Sequence, residues 1–169
     1  MKIPVFVSCP TTLSKGQEAS RTLILRELKR LELKPRALGR SDYPTELPLR
    51  EVYVIAKSCF GGIILGFEQF QASKGVWKRG TSQQKKTSKP VIFPTEWNNL
   101  EAGILYSLGL PLLVFREEGI SGGVFDPGVT DVFVHTIPAG ALIKQKRKEL
   151  SAVFLKWQSS VRNHYYNKR

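Results

Sequence analysis

Histidine, cysteine and methionine are scarce in this chain, which has two His, two Cys and one Met among 169 residues. Cys9 and Cys59 lie far apart, and His135 and His164 show no ligand spacing, so the sequence supports no metal site. Two cysteines, each flanking an apolar segment, suit reduced thiols better than a disulfide framework and predict a cytoplasmic protein. No apolar run approaches the roughly 18 to 20 residues that a membrane span needs. The stretch from Met1 to Ser8 is too short for a secretion signal and no small-residue cleavage site follows it, so export is not expected. A P-loop and a dinucleotide glycine fingerprint are both missing after the first apolar segment, where Ser8, Cys9 and Pro10 stand instead. Phosphoryl and hydride transfer therefore lose their main support. A nucleophilic Cys9 needs a histidine and an orienting group beside it, and the plainer reading is a small buried thiol.

Acids are also few, 14 against 26 lysines and arginines, which leaves a formal charge of +12. The excess is local. Residues 74 to 90 carry Lys74, Lys78, Arg79, Lys85, Lys86 and Lys89 and no acid, residues 140 to 169 carry eight basic residues against Glu149, and the remainder is nearly neutral. Such patches either bind nucleic acid or an acidic partner through charge, or are solvated loops that keep a protein dispersed. Length and an apolar content of 41% predict one compact domain over 1–169, with a basic insertion at about 71–90 and a basic helix at about 141–169.

Lys2 to Ser8 reads as a buried strand, followed by the small and hydroxyl residues of a loop. Lys15 to about Lys34 has the periodicity of an amphipathic helix that Pro35 ends, and Arg36 to Leu38 makes a brief second strand. Gly39 to Thr45 is turn chemistry that carries Asp42 and Tyr43. Leu47 to Ser58 is a second helix begun near Pro48, with Val52, Ile55 and Ala56 inward. Gly62 to Phe67 is a third strand, with Glu68 at its carboxyl end, and Gln71 to Pro90 reads as an excursion loop, partly mobile. Leu112 to Phe115 and Val132 to His135 are further strands around a glycine-rich loop from Glu117 to Gly128, and Ala141 to about His164 is a closing helix. Short apolar strands alternating with helices imply an α/β fold: a three-layer, flavodoxin-like parallel sheet of about five strands with helices on both faces. Ligands of such sheets bind beyond the carboxyl ends of the strands, here Ser8-Cys9-Pro10, Asp42-Tyr43, Phe67-Glu68 and Glu117-Glu118.

The segment Pro94 to Phe115 joins an acid-bearing helix to a buried strand. Thr95 is placed to cap, Glu96 sits in the first turn, and Gly109 with Pro111 stops the helix. An apolar stripe of Trp97, Leu100, Ile104, Leu105 and Leu108 leaves Glu101 at its edge. Cleavage of an N-glycosidic bond passes through an oxocarbenium-like species that a carboxylate stabilises or traps, and an aromatic face stacks on the leaving base. Glu101 suits the first role and Trp97 the second. The plainer alternative makes Glu101 a helix acid paired with an arginine and Trp97 a core residue.

Glu101, Gly103, Gly109 and Pro111 match the Glu-x-Gly helix and following Gly-x-Pro of the nucleoside 2-deoxyribosyltransferase-like group, and Trp97 precedes Glu101 by four as in TIR-like NAD-cleaving domains. The chain resembles these families over roughly residues 3 to 137. The resemblance implies a domain that cleaves the N-glycosidic bond of NAD or a related nucleotide or nucleoside, needs no cofactor, and works as a homo-oligomer or with a partner protein, in the manner of bacterial immune signalling enzymes. It implies Glu101 as nucleophile or oxocarbenium stabiliser, Trp97 and Tyr43 as stacking residues, and Ser8, Asp42 and Asn98 as groups that position ribose or phosphate; Cys9, Pro10, Phe67, Glu68 and Glu96 fall on the same rim. Pro94-Thr95-Glu96 and Asn98 stand where the transferases carry a substrate-holding aspartate, which points away from deoxyribosyl transfer itself. A non-catalytic nucleotide sensor or interaction module of the same fold is the rival reading. Nucleic-acid binding through residues 74–89 and 144–148 is a third.

Overall fold

The computed structural model of the chain describes residues 2–43, 45–140 and 142–168. The first half runs β1 (Ile3–Ser8), α1 (Lys15–Arg30), β2 (Leu33–Arg36), α2 (Pro48–Lys57) and β3 (Gly62–Gly66). An excursion follows, β4 (Phe70–Ala72), β5 (Val76–Trp77), β6 (Lys85–Lys86) and β7 (Val91–Phe93), before α3 (Glu96–Ser107), β8 (Leu112–Arg116), β9 (Val134–Thr136) and α4 (Lys144–Asn167). Five strands form one parallel sheet in the order β2-β1-β3-β8-β9. Read by sequence among those five, the order is 2-1-3-4-5, that of flavodoxin-like doubly wound sheets.

Burial on both faces explains the unbroken apolar runs. Val5, Val7, Ile63, Leu65, Leu113 and Phe115 pack with Ile24 and Leu28 of α1 and with Phe154, Trp157 and Val161 of α4. Their alternates Phe6, Ile64, Leu112 and Val114 pack with Val52, Ile55 and Ala56 of α2 and with Ala102 and Leu105 of α3. A two-residue side-chain period thus feeds two cores, one on each side of the sheet. Consecutive glycines allow the closest approach. A Cβ at Gly61 would lie 2.6 Å from Val161 Cγ2 on α4, and one at Gly62 would lie 2.7 Å from Leu105 Cδ1 on α3.

Several boundaries differ from the sequence reading. α1 stops at Arg30, Leu31 caps it, and Glu32 takes a left-handed conformation (φ 58°), so the chain turns four residues early. β2 therefore begins at Leu33 and contains Pro35, opposite Val5. An edge strand has one open side and so tolerates a residue without an N–H. The expected loop at 71–90 is largely paired: β4 joins β7 and β5 joins β6, both antiparallel, with Thr87 N–H donating to Gly75 O at 2.9 Å and Gly75 N–H to Thr87 Oγ1 at 2.7 Å between them. Ladders of two or three residues are too short to show alternation. β9 begins at Val134, leaving Phe133 exposed, and α4 starts at Lys144 and runs on to Asn167; Ala141, where that helix was expected to begin, lies outside the described residues, as does Pro44. Among the described residues no helix is long and apolar enough to cross a membrane.

Candidate active site at the carboxyl end of the sheet

Thr95 begins α3 as anticipated, its hydroxyl accepting from the Trp97 N–H, and Gly109 ends it with φ 67°. Leu105 is buried and Ile104 and Leu108 pack against the core as expected, but the first turns of the helix depart from the expected stripe. Asn98, Glu101, Ala102 and Leu105 are buried, while Trp97 is 40% exposed and Leu100 also faces outward. Residues at 98, 101, 102 and 105 satisfy helical spacing as well as the apolar set does, and the sheet edge it meets is polar at Ser8. Glu101 is consequently inside the protein, 8% exposed, and not at a stripe edge.

Ser8 ends β1, is fully buried and points to the α3 side of the sheet, as the alternation from Phe6 requires. Its hydroxyl oxygen accepts from Asn98 Nδ2 at 2.7 Å, and the hydroxyl favours the charged form of the Glu101 carboxyl. Asn98 Oδ1 is buried without a hydrogen-bond partner. Burial pushes the Glu101 carboxyl up from 4.5 to about 7, against a smaller downward pull from the Ser8 hydroxyl. Among the described residues no cation pairs with it. The arginine partner of the plainer alternative is therefore absent there, and the cost of ionising Glu101 is offset in small part by the Ser8 hydroxyl and by no described cation.

The surrounding loops are tied down. Asn99 Oδ1 accepts from Val124 N–H at 2.9 Å, and Arg116 Nη1 donates to the carbonyls of Ile120 and Phe125 at 2.8 Å each, fixing the glycine-rich loop against α3. Arg40 holds the β1–α1 loop from across the chain, donating to Pro10 O, Thr11 O and Glu18 Oε1. Glu117 Oε2 accepts from the Glu68 N–H at 2.6 Å and from Gln17 Nε2 at 3.1 Å, and Gln17 itself completes a capping box with Ser14. These residues border a cavity of about 660 Å³ lined by Ser14, Gln17, Glu68, Glu117, Ala139 and Gly140. None of Arg40, Gln17 and Asn99 carries a periodic signal. Their partners are distant in sequence, and only the topology brings them together.

The remaining expected site residues scatter in environment. Asp42 is gripped by Arg36, whose Nε lies 2.7 and 2.9 Å from its two oxygens, and by the Ser41 hydroxyl; that pairing holds Asp42 below the usual carboxylate range. Tyr43, next to it, is 80% exposed. Phe67 is fully buried in the core on the α1 and α4 side, opposite Glu101. Pro10 is buried, Glu68 half-buried and Glu96 exposed. The Cys9 thiol donates to Pro10 O at 3.5 Å, and burial pushes it up to about 11 despite the nearby Arg40 and Arg21, so it is a protonated thiol at neutral pH. Both cysteines are free. Among the described residues no three His, Cys, Asp or Glu side chains converge to hold a metal ion.

Ser8, Asn98 and Glu101 thus form one connected polar cluster, with Trp97 a turn before Glu101 on the outside of α3. The class defined is a parallel α/β domain with a buried glutamate, paired with no described cation, where such sheets receive ligands. Comparison with family models, curated proteins and solved structures returns no match to this chain.

Proposed function

We propose that this chain is a nucleotide-processing enzyme that cleaves an N-glycosidic bond, of NAD or a related nucleotide or nucleoside, with Glu101 as the reacting carboxylate. The observation that carries the reading is the burial of Glu101 without a cation, which raises its carboxyl to about 7. A carboxylate in that state is stabilised by whatever positive charge enters beside it. In heterolysis of an N-glycosidic bond the electron pair leaves with the base, and the sugar C1′ becomes cationic. The interaction between Glu101 and C1′ is therefore far stronger in the transition state than in the ground state, which is the requirement for catalysis. With NAD the departing nicotinamide ring loses its charge as it takes the electron pair, and water, or first Glu101 and then water, adds at C1′. Trp97, partly exposed one turn earlier, offers a face to the leaving base.

The test is to incubate the purified protein with a panel of nucleosides, NAD and cyclic nucleotides and follow released free base by chromatography. Release that is lost in Glu101→Gln, with folding and ligand binding retained, is expected. Ligand binding by a wild type that releases no base in any assembly state would replace the enzyme with a nucleotide sensor.

A further inference from the structure

The excursion between β3 and α3 interleaves cations with exposed aromatic rings, and apart from Ile92, which packs on the α2 and α3 core, these side chains belong to neither core nor to the Glu101 cluster. No acid occurs from residue 69 to residue 95, while six lysines and arginines do. Facing residues of an antiparallel pair project from the same side. Phe70 faces Phe93 across β4 and β7, and Trp77 faces Lys85 across β5 and β6. The Phe93 ring lies 6.3 Å from that of Phe70 and 6.0 Å from that of Trp77, so three rings form one row with Lys85 beside its end. Phe70 is 61% exposed and Trp77 49% exposed, which is a costly way to leave large apolar rings unless something covers them. None of the six cations forms an ion pair with a described residue, and Lys78 alone is engaged by a side chain, that of Gln83. Hydrogen bonds hold the tip in shape: Gly80 N–H donates to Gln84 Oε1 and Thr81 Oγ1 to Lys78 O, each at 2.8 Å.

We infer that this excursion binds single-stranded nucleic acid, with bases stacked on the Phe70, Phe93 and Trp77 row and phosphates held by the cations around it. An acidic protein would satisfy the charge and could bury the rings, but it does not repeat an anion and a flat ring in every unit, which is what interleaved cations and rings match. A duplex would satisfy the charge too, but its bases are already stacked on one another and present only edges. A single strand supplies both an anion and an unpaired π-face in every nucleotide. None of Phe70, Phe93, Trp77 and the six cations has a hydrogen bond, ion pair or ring contact with Ser8, Asn98 or Glu101, so binding here does not depend on bond cleavage there.

The experiment is fluorescence anisotropy of the full chain with labelled fifteen-nucleotide oligothymidylate and oligouridylate, against a hairpin duplex and heparin as competitors. With about four phosphates neutralised, the single-strand slope of about −0.7 per phosphate predicts roughly a 50-fold loss of affinity between 50 and 200 mM salt. Trp77→Ala should weaken binding about tenfold or more while the circular dichroism spectrum is unchanged. K85E/K86E should abolish binding, and Glu101→Gln and K146E/K148E should leave it intact. Binding of either sugar type meets the proposal, and their ratio identifies the biological strand. Heparin or duplex competing as well as the single strand, an unaffected Trp77→Ala variant, or loss through K146E/K148E in place of K85E/K86E would each overturn it.

Discussion

The side-chain nitrogen of Asn98 lies 2.7 Å from the hydroxyl oxygen of Ser8, and neither residue is exposed to solvent at all. The Ser8 hydroxyl also favours the charged form of the Glu101 carboxyl, so the β1 terminus stands between a buried amide and a buried acid. Ser8→Ala removes both links. It strands a buried amide donor, at a cost of about 1 to 3 kcal/mol, and takes away the interaction that draws the Glu101 carboxyl down. Urea denaturation should report the first effect. The second should move the pH dependence set by Glu101 to higher pH, which a structural loss alone would not do.

That pH dependence has a defined sign. The folded carboxyl at about 7 lies above its ordinary value of 4.5, so between those values the native state binds more protons than the unfolded one and stability falls as pH rises. The stabilising state is the protonated one, fully present below pH 4.5 and lost as pH passes through about 7. A shift of that size corresponds to at most about 3 to 4 kcal/mol between the two ends of the window. Glu101→Gln mimics the protonated form and should flatten the profile, becoming the more stable protein at pH 8 and a nearly equal one at pH 5. Parallel profiles for the two proteins would refute this account of the site. If Glu101 must be ionised to react, kcat/KM for base release should rise across the same interval.

Where the sequence carried the pattern of the fold, it did so through burial. Strands β1, β3 and β8 are apolar on both faces and were readable as parallel core strands, and α2 and α3 announced themselves by Pro48 and Thr95. Failures came where a local rule met a tertiary exception. Pro35 normally ends structure but is tolerated on the edge strand β2. On α3 the helical period holds and Ile104, Leu105 and Leu108 of the expected stripe pack on the core, but in its first turns the buried face carries Asn98, Glu101 and Ala102 in place of Trp97 and Leu100. The polar cluster was therefore visible as a set of residues but not as a buried unit. The Arg36 grip on Asp42 and the Arg40 brace on Pro10 depend on loop geometry that no spacing encodes.

The glycine-rich loop offers a test of how α3 is braced. Gly123 has φ 59°, and a Cβ there would come within 2.0 Å of Asn99 Oδ1, the atom that accepts from Val124 N–H. Gly128 also has positive φ, 81°, but a Cβ there meets nothing within 4 Å. Gly128→Ala should cost about 1 to 2 kcal/mol through backbone strain alone. Gly123→Ala should cost about 1 to 3 kcal/mol more, because it must also break the Asn99 contact. Equal losses in thermal denaturation would show that Asn99 does not brace the loop.

Helix α4 begins badly for its charge. Ile143 occupies the N-cap with no side-chain hydrogen bond to the first turn, and Lys144, Lys146 and Arg147 sit where the helix dipole is positive. Four lysines and arginines precede the first acid of the helix, Glu149. Ile143→Asp supplies an acceptor for the free N–H groups and an anion for both the dipole and the neighbouring cations. The Ile143 side chain is largely exposed, so little apolar burial is lost in exchange. The variant should gain about 1 kcal/mol, which for a domain of this length is a rise of about 2 to 4 °C in Tm. The gain should shrink in high salt, where the charge contribution is screened and only the hydrogen bond remains. A salt-independent gain would assign the whole effect to the cap, and no gain at all would mean that the described start of α4 at Lys144 is not its start in solution.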